Sequence, residues 1–334
     1  MKILVVAPSW IGDTLLAQPL LTLLHEKYAS LELDVLAPAW TFAVVRRMPE
    51  VRRAIASPFE HGALQFAERR NLGRELRSER YDQAIVLPNT LKSAFVPLFA
   101  RIPRRTGYRG EMRWGALNDV RVLDEEALPQ MAQRYAALAL PPGEAPPSPL
   151  PRPHLVVDDE QRRATLELLG LAGARRAVAL CPGAEYGPAK RWPPSYFAEL
   201  ARALTAQGDA VWLIGSSKDN EIAEDIVRLS GGACVNLCGK TTLDQAVELL
   251  SSVRLAITND SGLMHVAAAL GTPLIAIYGS STPAFTPPMS PHATIARLEI
   301  ECSPCFERTC PLGHFNCMMQ LKPERVLDRV PPVT

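Results

Sequence analysis

Short unbroken apolar runs alternate along this chain with longer stretches whose apolar residues recur every three or four positions. Ile3–Ala7, Leu31–Leu36, Val51–Ile55 and Tyr81–Leu87 are such runs. They predict strands covered on both faces. Between them, Thr14–Tyr28 carries Leu15, Leu16, Pro19, Leu20, Leu23 and Leu24 along one side, which predicts a helix, and Asn71–Arg80 predicts a charged, exposed one. The alternation resumes further on. Helices are predicted over Asp158–Leu169, Pro194–Ala206, Glu221–Leu229, Leu243–Leu250 and Leu263–Leu270. Strands are predicted over Ala177–Leu180, Ala210–Ile214, Val235–Leu237, Leu255–Thr258 and Leu274–Tyr278. Such βα alternation predicts an α/β protein of open parallel sheets with helices on both faces.

The two series are separated by PPGEAPPSPLPRP, residues 141–153, in which seven of 13 residues are proline. A segment of this composition is stiff and extended. We place the domain boundary there, giving domains 1–153 and 154–334, with the tail able to pack back on the first. The length of 334 residues agrees with two domains. A net charge of +1 gives no reason to expect a nucleic-acid partner, and no stretch has the length and apolarity of a membrane span. The first residues, MKILVVAP, read as a strand and not as a signal peptide, so cytoplasmic residence is expected. Seven cysteines in a chain of this size do not suggest a secreted disulfide scaffold.

Candidate chemistry falls where predicted strands end. In TNDSGLMHVAAALGTPLIAIYGSSTP, residues 258–283, a strand ends at Asp260-Ser261-Gly262 and a helix begins. The first N–H groups of a helix lack partners and its dipole end is positive, so this start is a seat for phosphate, with Asp260 and His265 alongside. The bland alternative is a capped βαβ unit without ligand. Asp13 follows the first strand, and is either a plain helix cap or a general base that takes a proton from an attacking hydroxyl. The loop GAEYGPAKRWP, from Gly183 to Pro193, has the glycines and the Lys190-Arg191 pair to hold a diphosphate. Carboxylates in Ser216–Glu221 suit ribose hydroxyls, or simply cap a helix. RIPRRTGYRGEMR, residues 101–113, is expected as a loop or edge strand. It is either a solvated basic face or an anion site, with Arg46, Arg47, Arg52 and Arg53 adding positive charge upstream. The first strand is not followed by a G-x-G-x-x-G turn, which counts against a nicotinamide dinucleotide. Cys302, Cys305, Cys310, His314 and Cys317 lie within 16 residues, but at spacings that fit no standard zinc finger; reduced structural thiols are preferred over a metal site.

Four blocks together, PSWIGDTLLAQPL, CPGAEYGPAKRWP, the 258–283 segment and CSPCFERTCPLGHFNCM, resemble the ADP-heptose:lipopolysaccharide heptosyltransferase family nearly end to end. The tail favours the branch that adds the second heptose over its relative that adds the first. The resemblance implies a GT-B fold, two Rossmann-like doubly wound domains facing across a cleft. It implies inverting, metal-independent transfer of L-glycero-D-manno-heptose from ADP-heptose to the first heptose of the Kdo–lipid A core, with no cofactor. Asp13 is then the base and Lys190 contacts the donor phosphates. Donor binding is implied for Gly183, Lys190, Glu221, Thr241, Asp260, Ser261, Gly262 and His265. Acceptor binding is expected of Gly12, Arg104, Arg105 and Arg109. The expected protein is a monomer, peripheral at the cytoplasmic face of the inner membrane, with ADP-heptose and heptosyl-Kdo2-lipid A as partners and no nucleic acid. Alternatives are another sugar-nucleotide enzyme of the same architecture, such as the first-heptose enzyme or a 2-epimerase, a non-catalytic sugar- or nucleotide-binding protein, and a zinc-dependent interaction module.

Overall fold

A computed structural model describes residues 1–60, 62–174 and 176–332. The chain forms two compact units, Met1–Leu155 and Val156–Thr334. The first holds strands β1 (Lys2–Val6), β2 (Glu32–Pro38), β3 (Arg53–Ser57), β4 (Gln83–Val86), β5 (Arg104–Tyr108) and β6 (Asp119–Arg121). They form one sheet in the order β3-β2-β1-β4-β5-β6, every neighbouring pair parallel. The second holds β7 (Ala177–Cys181), β8 (Ala210–Leu213), β9 (Val235–Asn236), β10 (Leu255–Asn259), β11 (Leu274–Ile277) and β12 (Ala293–Ala296). Their order, β12-β11-β10-β7-β8-β9, is the same doubly wound arrangement, again all parallel. Strand order reverses between β1 and β4 and between β7 and β10. In such sheets ligands settle at these switch points, beyond the carboxyl ends of the strands.

Strand residues are buried as the unbroken apolar runs require. Ile3, Leu4, Val178, Leu180, Ala256 and Ile257 are all fully covered. The helix expected over Thr14–Tyr28 is two helices, Ile11–Leu16 and Gln18–Lys27. Pro19 has no N–H for the preceding turn, so it sits in the first turn of a new helix after Ala17. The first helix also begins before Thr14, and therefore carries Gly12 and Asp13 within its opening turn.

The arginine-rich segment is loop at both ends, as expected, but its middle is an interior strand and not an edge. Its residues Arg104–Tyr108 are β5, paired with β4 on one side and β6 on the other. The proline-rich segment has no helix or strand, and beyond it the His154 backbone is held at both its N–H and its C=O by the buried Gln18 side chain. The tail builds into the second unit: Met318, Leu321 and Val326 join Trp192, Phe197 and Leu200 in its core, and Trp192 Nε1 donates to Leu321 O at 2.8 Å.

Candidate active site

At the carboxyl edge of the second sheet, Asp260 closes β10 and Gly262–Ala269 forms the next helix, with extended Ser261 as its N-cap. Ser261 makes no side-chain cap hydrogen bond, and the first helical bond is Met264 N to Ser261 O at 3.2 Å. The backbone donors ahead of Met264 therefore face the positive dipole end without a helical acceptor. Asp260 is 5% exposed. Its Oδ2 receives Lys190 Nζ at 2.5 Å and Ser281 Oγ at 2.5 Å. Asn259 ties the two loops of the switch point: its Nδ2 donates to Pro182 O at 2.7 Å and its Oδ1 accepts from Trp192 N at 3.2 Å. One turn into the helix, His265 is buried. Burial pushes its imidazole down to about 4; Asp260 opposes the shift and Lys190 adds to it. The ring is thus neutral near pH 7, a hydrogen-bonding group without charge.

Two glycines are needed for close approach. A Cβ on Gly183 would lie 2.4 Å from the Asp219 carboxylate, and one on Gly187 would lie 2.4 Å from Arg308 O. The first brings the loop after β7 against Asp219. That carboxylate is buried and accepts from Ser216 N and Oγ, both at 2.8 Å. Of the two acids expected to meet a ribose, Asp219 is therefore spent on its own loop. Glu221 stands exposed in the first turn of Asn220–Leu229. Thr241 is half-buried after β9, beside Thr242, which caps Leu243–Ser252. Two cations lie near the Tyr186 ring, Lys190 Nζ at 5.1 Å and the Arg308 guanidinium at 5.2 Å from its centroid. Beside these loops is a cavity of about 410 Å³ bounded by Arg191, Trp192, Ile222, His314, Phe315 and Met318.

In the first unit, Asp13 lies in the opening turn after β1, where an acid is favoured by the dipole. It is near enough to the buried Tyr135 that, after burial itself, its charge opposes ionisation of that phenol. The arginines separate by their place in β5. Arg104 and Arg105 open the strand, at the edge opposite its carboxyl end. Arg104 pairs with Asp119 at 2.9 Å. Arg105 donates to the carbonyls of Ile102, Ala116 and Gly115. Both are committed to holding β5 and β6, and not to a ligand at the carboxyl edge. Arg109 follows the strand and is exposed at that edge. Upstream, Arg52 and Arg53 bind Asp34, and Arg47 donates to Ala43 O. Arg113, the last residue of the segment read as a basic face or an anion site, is instead buried. It braces the loop after β5 by donating to the Pro88 and Tyr108 carbonyls and to Asn89 Oδ1. Nothing in its spacing distinguishes it from its neighbours.

The cysteine segment is a loop laid over the site. Phe306 N donates to Ser280 O at 2.6 Å, Ser303 Oγ to Gly279 O at 2.7 Å, Tyr186 OH to Phe306 O at 2.6 Å and Ala189 N to Arg308 O at 3.0 Å. Cys302, Cys305, Cys310 and Cys317 are free thiols. Backbone donors, Phe315 N first, lower the Cys310 thiol, whereas burial and then the other three sulfurs raise Cys317. Among the described residues no three His, Cys, Asp or Glu side chains are placed to hold a metal ion.

Duplicated doubly wound sheets, with an open helix start and a lysine at the carboxyl edge of the second, are an architecture that GT-B glycosyltransferases share. Residues 69–316 match glycosyltransferase family 9 (heptosyltransferase), and the chain belongs to that family. It is similar in structure to the ADP-heptose lps heptosyltransferase II of Escherichia coli, with a TM-score of 0.88 at 47% identity over 98% of this chain and 97% of that one. It is 48% identical to the lipopolysaccharide heptosyltransferase 2 of Escherichia coli (strain K12), over 99% of this chain and 97% of the relative. It is 44% identical to the lipooligosaccharide heptosyltransferase 2 of Haemophilus influenzae, over 99% and 98%.

Proposed function

We propose that this enzyme transfers L-glycero-D-manno-heptose from ADP-heptose to the first heptose of the Kdo–lipid A inner core of lipopolysaccharide. The names of its relatives supply the sugar and the pathway. The observation that carries the reading is the cluster at the end of β10. There the Ser261-Gly262 helix start, Lys190 and neutral His265 converge on one anion seat. Lys190 and the helix start stabilise charge on the departing ADP. Gly183 lets the phosphate loop close, and Glu221, in the first turn of the helix after β8, and Thr241, on the loop after β9, take ribose and adenine. Asp260 aims Lys190 through their ion pair.

Asp13 is assigned as general base. It removes the proton from the acceptor hydroxyl as that oxygen attacks the anomeric carbon, and the bond to the diphosphate breaks with inversion. These positive groups carry the leaving-group charge, and we propose that no metal is required. Gly12 and Arg109 serve the acceptor.

Among the described residues no helix is long and apolar enough to cross a membrane. We infer that the chain works as a monomer in the cytoplasm, in peripheral contact with the inner membrane. Exposed Met112 and Trp114, in the loop beginning with Arg109, support that contact. Tryptophan suits a lipid–water boundary, and arginine an anionic surface.

A mass-spectrometric assay with ADP-heptose and a mono-heptosylated core acceptor should show a gain of one heptose, unaffected by a chelator. Transfer only to the acceptor that lacks heptose would move the assignment to the first-heptose enzyme. Absence of transfer to either would refute the proposal.

A further inference from the structure

We infer that Arg308, carried by the cysteine-bracketed tail loop, is a second cation of the donor diphosphate site; this rests on the reading of that site as a sugar-nucleotide seat. Charge accounting gives the first reason. Lys190 is paired with Asp260 at 2.5 Å, Lys218 with Glu185 at 2.5 Å, and burial keeps His265 neutral. With adjacent Arg191 and the buried Asp219 of the same loops counted as one further positive and one further negative charge, the formal charge without Arg308 sums to zero, while a diphosphate brings at least two negative charges. Among the described residues no carboxylate lies within ion-pair distance of Arg308.

Placement gives the second reason. The Arg308 backbone touches the Lys190 turn directly, through Ala189 N at 3.0 Å and the Cβ-free face of Gly187. Its guanidinium and the Lys190 ammonium lie 5.2 and 5.1 Å from the same Tyr186 ring. The ring orients the guanidinium without neutralising it. The loop is also held on its other side, where Phe306 N reaches Ser280 O at 2.6 Å. The backbone of Arg308 is held and its side chain is exposed, and an arginine offers two parallel N–H donors to phosphate oxygens, which a lysine cannot do.

The test is calorimetric titration of the whole protein with ADP, AMP and adenosine, for the wild type, Arg308→Ala, Arg308→Lys and the surface control Arg163→Ala. Arg308→Ala should weaken ADP about tenfold or more, the scale of a charge-assisted contact. The loss should be smaller with AMP and absent with adenosine. Arg308→Lys should recover part of the affinity, and Arg163→Ala should match the wild type. If Arg308→Ala unfolds, Arg308→Lys against the wild type decides alone: equal ADP affinity overturns the inference. ADP binding by Arg308→Ala equal to the wild type's likewise overturns it, while leaving the donor site standing. Failure of the wild type to bind ADP removes the site reading itself, and the inference with it.

Discussion

Lys190→Met and Asp260→Asn, made singly and together, test whether the ion pair at the end of β10 organises the site. The two groups approach to 2.5 Å, with side chains 17% and 5% exposed. Removing one partner of a fully buried pair costs about 3–5 kcal/mol, because a charge is left without compensation. The exposure of Lys190 lets water reach the ammonium, and Ser281 still donates to Asp260 when Lys190 is gone. Each single change should therefore cost about 2 kcal/mol, and the double change little more than one of them, for a coupling of about 1.5 kcal/mol. Urea unfolding followed by tryptophan emission measures this. Trp192 and Trp212 are buried in the second unit, whereas Trp10, Trp40 and Trp114 are exposed in the first. Loss of buried-indole emission thus follows the second unit, and the midpoint should shift at unchanged slope. Single costs that add without coupling would show that the pair does not act as a unit, and that Asp260 does not aim Lys190.

Asp13→Asn should cut turnover by ~100-fold or more and leave ADP affinity in place, as loss of a general base does; stopped-flow transfer beside a binding titration checks both. His265 is lowered from 6.5 to about 4, so the folded state favours the neutral ring. Its contribution is complete above 6.5 and is lost as pH falls toward 4, about 3 kcal/mol in all; a His265→Gln variant that kept the wild type's pH slope in urea unfolding over this window would refute the assignment. Charge reversal should separate the arginines. Arg109→Glu should raise the acceptor Michaelis constant, whereas Arg104→Glu should lower the unfolding midpoint by breaking the Asp119 pair, with the acceptor constant little changed.

The βα alternation was legible because fully buried strands leave unbroken apolar runs, and the second half followed the pattern closely; the helix Pro194–Ala206 falls at its expected bounds. β5 was hidden because it opens with two arginines whose charge is satisfied by Asp119 and by backbone carbonyls, not by solvent. Hydropathy registers the charge and not the partner. The site was readable where its residues are neighbours in sequence, as at Asp260, Ser261 and Gly262. It was not readable where distant segments meet. Ser281 reaches Asp260 from the next strand's loop, and Arg308 reaches Tyr186 and Gly187 from the tail. No periodicity encodes such a meeting. Asp219 shows the converse, since a polar loop looks ligand-facing until its carboxylate is seen turned inward on Ser216.

The seating of Leu321 and Val326 in the second unit's core bears on synthesis. On the ribosome, N-terminal domains generally fold first. The first unit has its six strands once residue 121 has emerged. The second has all of its strands by residue 296, yet cannot complete its core until some thirty residues later, when Leu321 and Val326 arrive to cover Phe197, Leu200 and Trp192. For that interval the nascent chain presents an uncovered apolar helix face. A message truncated there would release a protein with both sheets made and this flank open, a substrate for chaperones and proteases and not a weakened enzyme.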